Sequence, residues 1–284
     1  MRALSKRSGT ATLRMTPRGG MLVAAVSLLG LAALLWPFFF HASSAASRAH
    51  WADAPIELMI LVPLLLVLCA SEVARGGLDA RGIAVLGILA ACGTALRIPS
   101  PGVAGLEPMF FLLVLAGRVY GPGFGFALGG LTLAVSGVAT GGVGPWLPFQ
   151  MLAAGWVGAG AGLLPAASGR SERVLLAGYT GLACLVYGMV MNLWFWPFAA
   201  GSSTSISFVP GAPALTNLKH FIVFDVTTSL GFDLPRAAIN VALVLCVGAP
   251  VLVALRRSAR RSSLAPLPGP STAAEAMSIE LTGD

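Results

Sequence analysis

The feature that most constrains this chain is a run of 51 residues, Val119 to Gly169, that contains no charged side chain. About 20 apolar residues cross a lipid bilayer as an α-helix, so this run alone has room for two crossings. Charged residues make up 10% of the 284-residue sequence, whereas a typical soluble domain has about 25%. We therefore predict an all-α polytopic membrane protein.

Hydropathy along the chain predicts eight membrane-crossing helices. Several of them are shorter than 20 residues, which is expected where polar flanks lie among the headgroups or where neighbouring helices bury the segment. The eight segments are Gly20–Phe40, Ile56–Ala70, Gly82–Leu96, Glu107–Val119, Phe124–Ala139, Pro148–Leu164, Val174–Phe198 and Leu234–Leu255.

The basic residues predict the orientation. With the N-terminus in the cytoplasm, fourteen of the 18 Lys and Arg residues fall on the cytoplasmic side and four on the outer side, as the positive-inside rule expects. Both termini are basic, so the number of crossings is even and both termini are cytoplasmic. The segment His220–Asp233 is apolar enough to be a ninth crossing, but counting it would place Arg256–Arg261 outside. We expect it to be an outer-face lid or an interfacial helix.

The first apolar segment has two interpretations. A basic start, an apolar run and the small residues Ala42–Ala46 are typical of a signal peptide. The apolar run is longer than the 7–15 residues of a signal-peptide core, however, and it ends in the bulky residues Trp36–Phe40. These two features favour a retained membrane helix.

The sequence lacks the residue patterns that several kinds of chemistry require. The four cysteines each lie alone in an apolar segment, and none of the three histidines belongs to a metal-binding HExxH. Neither Lys6 nor Lys219 stands in the Gly-Lys-Ser/Thr of a phosphate-binding loop, so this chain is not expected to hydrolyse ATP. The net charge of +7 forms no basic stripe interleaved with aromatic residues, which argues against nucleic acid as a partner. We expect no enzyme activity, no cofactor and no metal.

Small residues recur at helical spacing in two segments. Gly155, Gly158 and Gly162 form one smooth helix face, which allows close approach of another helix in the bilayer. Packing within the chain is the favoured interpretation of that face. A similar face in the third segment carries Gly87, Ala91 and Ala95.

Polar and aromatic residues collect at the predicted outer ends of the helices. Asp233, Arg236 and Asn240 are spaced three and four apart and therefore share one helix face. Ionisable groups near membrane depth usually face a protein interior or a cavity, so we predict a binding pocket open to the outside. An Asp233–Arg236 pair with a purely structural role, and an aromatic belt that includes Trp146 and Trp196, remain open alternatives. The candidate pocket residues are Arg97, Glu107, Trp146, Gln150, Asn192, Trp196, Asp233, Arg236 and Asn240.

Three passages carry a resemblance to a known family. They read ALRIPSPGVAGLEPMFFLLVLAGRVYGPGFGFALGG, GGVGPWLPFQMLAAGWVGAGAG and TSLGFDLPRAAIN. The block from Gly82 to Arg257, with six predicted crossings, resembles the substrate-binding S component of energy-coupling factor (ECF) transporters. The resemblance implies a non-enzymatic subunit that binds a vitamin or similar micronutrient from the outside, and a cobalamin-type compound is a candidate substrate.

The resemblance also implies partners. In such transporters a transmembrane coupling subunit and two ATPase subunits drive import, and an Ala-xxx-Ala face on the first core helix often docks on the coupling subunit. Ala91 and Ala95, with Gly87 one turn earlier, match that face. The resemblance implies a bacterial plasma membrane location. Four regions result: a basic cytoplasmic tail (1–19), two extra N-terminal helices (20–81), a six-helix core (82–257) and a disordered cytoplasmic tail (258–284). The six-helix pattern does not explain the second of these regions.

Three other functions are weighed against this one. A self-sufficient secondary transporter usually shows internal repeats and broken helices at the midplane with coupling-ion groups, whereas this sequence has no convincing repeat and its ionisable groups lie near the outer ends. A membrane enzyme lacks the necessary His and metal ligands. A structural membrane anchor would retain a stable partner without binding any small molecule.

Overall fold

The computed structural model describes residues 17–39, 80–99, 105–199, 204 and 206–263. Within these ranges the chain forms seven α-helices and no strands, so the predicted all-α class is confirmed for the described residues. The predicted second crossing, Ile56–Ala70, and most of the C-terminal tail lie outside the described residues. The helices are α1 (Pro17–Phe39), α2 (Ala80–Arg97), α3 (Phe110–Tyr120), α4 (Pro122–Ala139), α5 (Leu147–Leu163), α6 (Gly169–Ala199) and α7 (Ala214–Ser263).

Four of these helices, α1, α4, α6 and α7, are long and apolar enough to cross a membrane. The short helix α3 has only 11 residues, about 16 Å, which is roughly half the hydrocarbon thickness of a bilayer. It lies at the centre of the described core, where Leu113, Val114 and Leu115 are fully buried. Its start at Phe110, three residues later than predicted, leaves Glu107 in the preceding loop.

Glycines set the close packing of α3, α4 and α5. A methyl group on Gly158 of α5 would overlap the backbone of Gly125 in α4, and one on Gly117 of α3 would overlap the backbone of Gly158. The three helices therefore approach one another backbone to backbone, as small residues permit. The predicted role of the Gly155, Gly158 and Gly162 face in packing within the chain is confirmed.

The last helix corrects one expectation. The segment His220–Asp233 was expected to be a separate lid or interfacial helix, but α7 runs through it without a break, over 50 residues and about 75 Å. Pro235 lies inside this helix and does not end it. Antiparallel packing on α6 supports the helix on both sides of the proline: Gly181 faces Val241 and Gly188 faces Asp233.

Helix α1 packs on the core. The Trp156 indole of α5 donates a hydrogen bond of 2.8 Å to Ser27 Oγ, and Gly30 lies against Leu152. At the end of α1, the Phe38 ring stacks on Trp196 at a centroid distance of 6.1 Å. These contacts make α1 an integral part of the described bundle.

Candidate functional site

One end of the bundle carries a cluster of basic side chains around a buried acid. Glu172, at the start of α6, is 2% exposed and accepts hydrogen bonds from Arg118 Nε at 2.9 Å and Arg256 Nη2 at 2.6 Å. Arg118 also donates to the carbonyl of Leu164 at 2.9 Å. The cluster therefore joins the end of α3, the start of α6 and the end of α7.

The other end holds a buried chain of alternating charges. Arg97 Nε, at the end of α2, lies 3.3 Å from Glu107 Oε1, and Arg236 Nε, on α7, lies 2.9 Å from Glu107 Oε2. Arg236 also pairs through Nη1 with Asp233 Oδ1. All four residues are at most 8% exposed. We call Arg97, Glu107, Arg236 and Asp233 the charge network.

Neutral groups hold the charge network in place. Asn240, fully buried on α7, donates to the Glu107 carbonyl at 2.9 Å and accepts from the Phe111 amide at 2.8 Å. Because the first amides of a helix lack partners within the helix, Asn240 caps α3 from another helix and fixes Glu107 just before it. On the other side Arg97 donates to Ser136 Oγ at 3.2 Å. The Arg236 guanidinium lies 5.3 Å from the Tyr187 ring centroid, within cation–π range.

A cavity lies beside the charge network, between the second half of α6 and the first half of α7. Its volume is about 370 Å³, within the range of small-molecule sites. Asp233 and Arg236 form its charged wall, so only one end of the charge network reaches it. The remaining lining residues are Gly188, Met191, Asn192, Phe195, Phe224, Thr228, Ser229 and Phe232.

Gly188 makes room for the acidic group of the cavity. A methyl group at this position would overlap the Asp233 carboxylate, so the absence of a side chain lets the carboxylate lie against the α6 backbone. In that position the carboxylate reaches Arg236 one turn further along α7.

Asn192 links the two walls of the cavity. Its side-chain amide donates to Asp225 Oδ1 at 2.6 Å and to Ser229 Oγ, both on α7. Asp225, Ser229 and Asp233 are spaced four apart, so they face α6 together. The cavity thus combines hydrogen-bonding groups, an ion pair formed by Asp233 and Arg236, and three phenylalanine rings. It suits non-covalent capture of a small molecule.

The structure brings six of the nine predicted pocket residues together. Asn192, Asp233 and Arg236 line the cavity. Arg97, Glu107 and Asn240 lie behind them in the charge network and its support. The predicted shared face of Asp233, Arg236 and Asn240 is confirmed by their mutual contacts.

The other three predicted residues lie elsewhere. Trp146, at the start of α5, packs edge-on against Trp194 at 6.2 Å and is 37% exposed. Gln150, one turn later, is half-buried. Trp196 is fully buried among Phe38, Phe208 and Phe221, and its indole donates to the Ile206 carbonyl at 2.7 Å. This aromatic cluster adjoins the cavity through Phe224.

The predicted set of pocket residues omitted several residues that line the cavity or bond to its wall. The four-residue spacing of Asp225, Ser229 and Asp233 was a usable signal, because it continues the polar face recognised from Asp233 to Asn240. Gly188 and the phenylalanines gave no such signal, since similar residues occur throughout this chain. Among the described residues, no group of three or more His, Cys, Asp or Glu side chains could hold a metal ion.

The predicted docking face on α2 is exposed. Gly87, Ala91 and Ala95 all lie on the surface of the described bundle, and Ile88, beside them, is 63% exposed. The opposite side of α2 packs on α4, where Thr94 Oγ1 approaches the Thr132 carbonyl at 3.4 Å.

The all-helical fold and its long apolar helices are those of a membrane protein. The family model of the ECF transporter substrate-specific component matches residues 81–248. This match covers more than half of the chain, and the chain belongs to that family. No curated protein and no solved structure is significantly similar to it.

Proposed function

We propose that this chain captures a vitamin or related micronutrient from the outer face of a bacterial plasma membrane, in the cavity between α6 and α7. The observation that carries the proposal is the cavity itself. It is lined by Asn192, Asp233 and Arg236, it lies at the end opposite the Arg118–Glu172–Arg256 cluster, and it falls within the region that the family model matches.

The nature of the solute is part of the proposal. A cobalamin-type substrate remains a prediction from sequence resemblance, and a corrinoid would have to extend well beyond a cavity of about 370 Å³. Smaller micronutrients with one or two rings fit this volume better.

A binding screen tests the capture role. The purified full-length chain in detergent is heated with each member of a micronutrient panel, and its unfolding midpoint is recorded. A bound ligand stabilises the folded state by mass action, so at least one compound should raise the midpoint in a concentration-dependent way. If no compound does so, the capture role is refuted.

Membership of the family implies ECF transmembrane and ATPase components as partners. We propose that two ATPase subunits act with one coupling subunit, and that the coupling subunit docks on the exposed α2 face of Gly87, Ala91 and Ala95. Small residues on such a face allow close helix approach, which leucine side chains would prevent.

Co-purification tests the docking face. The double variant Ala91→Leu with Ala95→Leu should lose the coupling subunit. The matched control is Ala238→Leu with Ala242→Leu, a pair of the same spacing on the exposed side of α7, which should retain it. Equal recovery of the coupling subunit with both double variants would exclude α2 as the docking face.

The proposed orientation places both termini in the cytoplasm. In a cysteine-free background, an impermeant thiol reagent added to whole cells should label Leu215→Cys, at the cavity end of α7. It should not label Arg257→Cys, at the basic end. Both positions are exposed. The reverse labelling pattern would invert the proposed topology.

A further inference from the structure

We infer that the cavity between α6 and α7 takes a small cationic ligand with a flat apolar body, and that Asp233 is its counter-ion. This inference rests on the proposed function and names the chemical class of the captured solute.

The order of charges in the network points to a cation. Along the network the order is Arg97, Glu107, Arg236 and Asp233, and each inner member contacts two opposite charges. The positive end, Arg97, lies away from the cavity and donates to Ser136. The negative end, Asp233, lies on the cavity wall. A positively charged ligand group beside Asp233 would continue the alternation.

The charge balance around the cavity points the same way. The two arginines of the network are matched by Glu107 and Asp233, and Asp225 adds a further carboxylate that bonds to Asn192 on the cavity wall. The described groups of the network and cavity therefore sum to one excess negative charge. Asp225 is half-buried and bonds to the neutral Asn192, so none of these groups balances its charge, and a ligand cation in the cavity would do so.

An anionic ligand would find less to bind. Arg236 is the cationic side chain among the described lining residues, and its Nε and Nη1 are already engaged by Glu107 and Asp233. A ligand carboxylate would approach a guanidinium whose charge two carboxylates already share. It would also lie close to Asp233.

The apolar walls indicate the shape of the ligand. Phe195, Phe224 and Phe232 line the cavity, and aromatic faces attract both flat rings and cations. With Thr228 and Ser229 offering hydroxyl groups, the cavity suits a one- or two-ring compound bearing an ammonium or a quaternary ring nitrogen.

Pairs of probes that are similar in shape but differ in charge test this class directly. Titration calorimetry with the full-length chain compares 1-methylnicotinamide, which is methylated on the ring nitrogen, with nicotinamide, and pyridoxamine with pyridoxine. The members of each pair differ mainly in one positive charge. Thiamine is a further cation, biotin, pantothenate and nicotinate are anions, and cyanocobalamin is the large probe. At least one cation should bind. Within a pair, the cation should bind at least about tenfold more tightly than its neutral counterpart.

Variants assign the effect to the carboxylates. Asp233→Asn should weaken cation binding by at least about 30-fold, as expected for removal of a buried charge partner. Asp225→Asn removes a carboxylate but leaves both ion-pair partners of Arg236 in place. It therefore tests the charge dependence even if Asp233→Asn does not fold. It should weaken binding severalfold. The control Arg170→Gln, exposed at the start of α6, changes the net charge equally in size and should leave affinity unchanged.

The outcomes separate this inference from the proposed function. Tight binding of a neutral or anionic micronutrient, with no cation binding, would overturn the cationic class and leave solute capture standing. Cation binding that neither carboxylate variant alters would overturn the role of Asp233. If no probe binds at all, both the cationic class and the capture role are refuted.

Discussion

At the residue scale, the described charges away from the basic end are concentrated in one network. Ionisable groups near membrane depth are costly, so they need partners that stay in place. Glu107 forms ion pairs with two arginines, and Arg236 forms ion pairs with two carboxylates. Each of these two residues therefore has two oppositely charged partners. Removing one member would leave a neighbouring buried charge without its partner. In a buried ion pair such a removal typically lowers the free energy of unfolding by about 3–5 kcal/mol.

Gly188→Ala tests how closely α6 must approach Asp233. The added methyl group would overlap the Asp233 carboxylate and push it away from Arg236. We expect the free energy of unfolding to fall by about 1–3 kcal/mol, as for other overpacked sites, and ligand affinity to fall with it. The readouts are the unfolding midpoint and a binding titration in detergent.

The matched control for this variant is Gly178→Ala. Gly178 lies on the same helix with nothing within 4 Å of an added methyl group. Alanine is favoured over glycine in a helix by about 0.5–1 kcal/mol, so this variant should be as stable as the original protein or more stable. Equal stability of the two variants would show that Asp233 does not depend on the gap at Gly188.

Residue-level prediction from sequence succeeded where one helix carries the information. The spacing of Asp233, Arg236 and Asn240 placed them on one face, because helical periodicity is local. Prediction failed for contacts between residues on different helices. Glu172 meets Arg256, 84 positions away, and the sequence has no signal for how α6 and α7 align. For the same reason, the sequence did not predict that Trp196 is buried by aromatic residues of α1, α7 and the segment between α6 and α7.

At the element scale, three kinds of helix build the site. The short α3 is buried on all sides and starts at a cap provided by Asn240 of α7. The glycine-faced helices α4 and α5 pack closely around it. The long helices α6 and α7 lie antiparallel, and the cavity opens between them where polar and aromatic side chains face each other.

Helix α1 should contribute to stability through Phe38. This ring is half-buried and contacts Trp196 and Phe221, so Phe38→Ala should lower the free energy of unfolding by about 2 kcal/mol, less than for a fully buried phenylalanine. The neighbouring Phe39 is 70% exposed, and Phe39→Ala serves as the control with little effect. Thermal unfolding of both variants measures the difference, and equal midpoints would contradict a structural role for α1.

Helix existence was predictable and helix ends were less so. The apolar runs that became α1, α2, α4 and α5 were located to within three residues at each end. The continuity of α7 was not foreseen, because the distribution of basic residues argued against counting His220–Asp233 as a further crossing, and the segment was therefore treated as a separate element. Packing against α6 along both halves outweighs the hydrogen bond that Pro235 removes.

At the scale of the whole molecule, the described chain has two chemically different ends. One gathers Arg118, Glu172 and Arg256, and the other holds the charge network and its cavity. The proposed capture role assigns the solute to the end with the cavity. We propose that this division into two ends is aligned with the membrane normal.

Uptake into proteoliposomes tests the central claim most directly. The vesicles contain this chain alone or together with an ECF coupling subunit and its ATPases, with ATP on the cytoplasmic side. The ligand found in the binding screen is supplied on the other side. We predict binding without accumulation by the chain alone, and accumulation only with the partners and ATP. Accumulation by the chain alone, driven by a proton or sodium gradient, would contradict the account and identify a self-sufficient transporter.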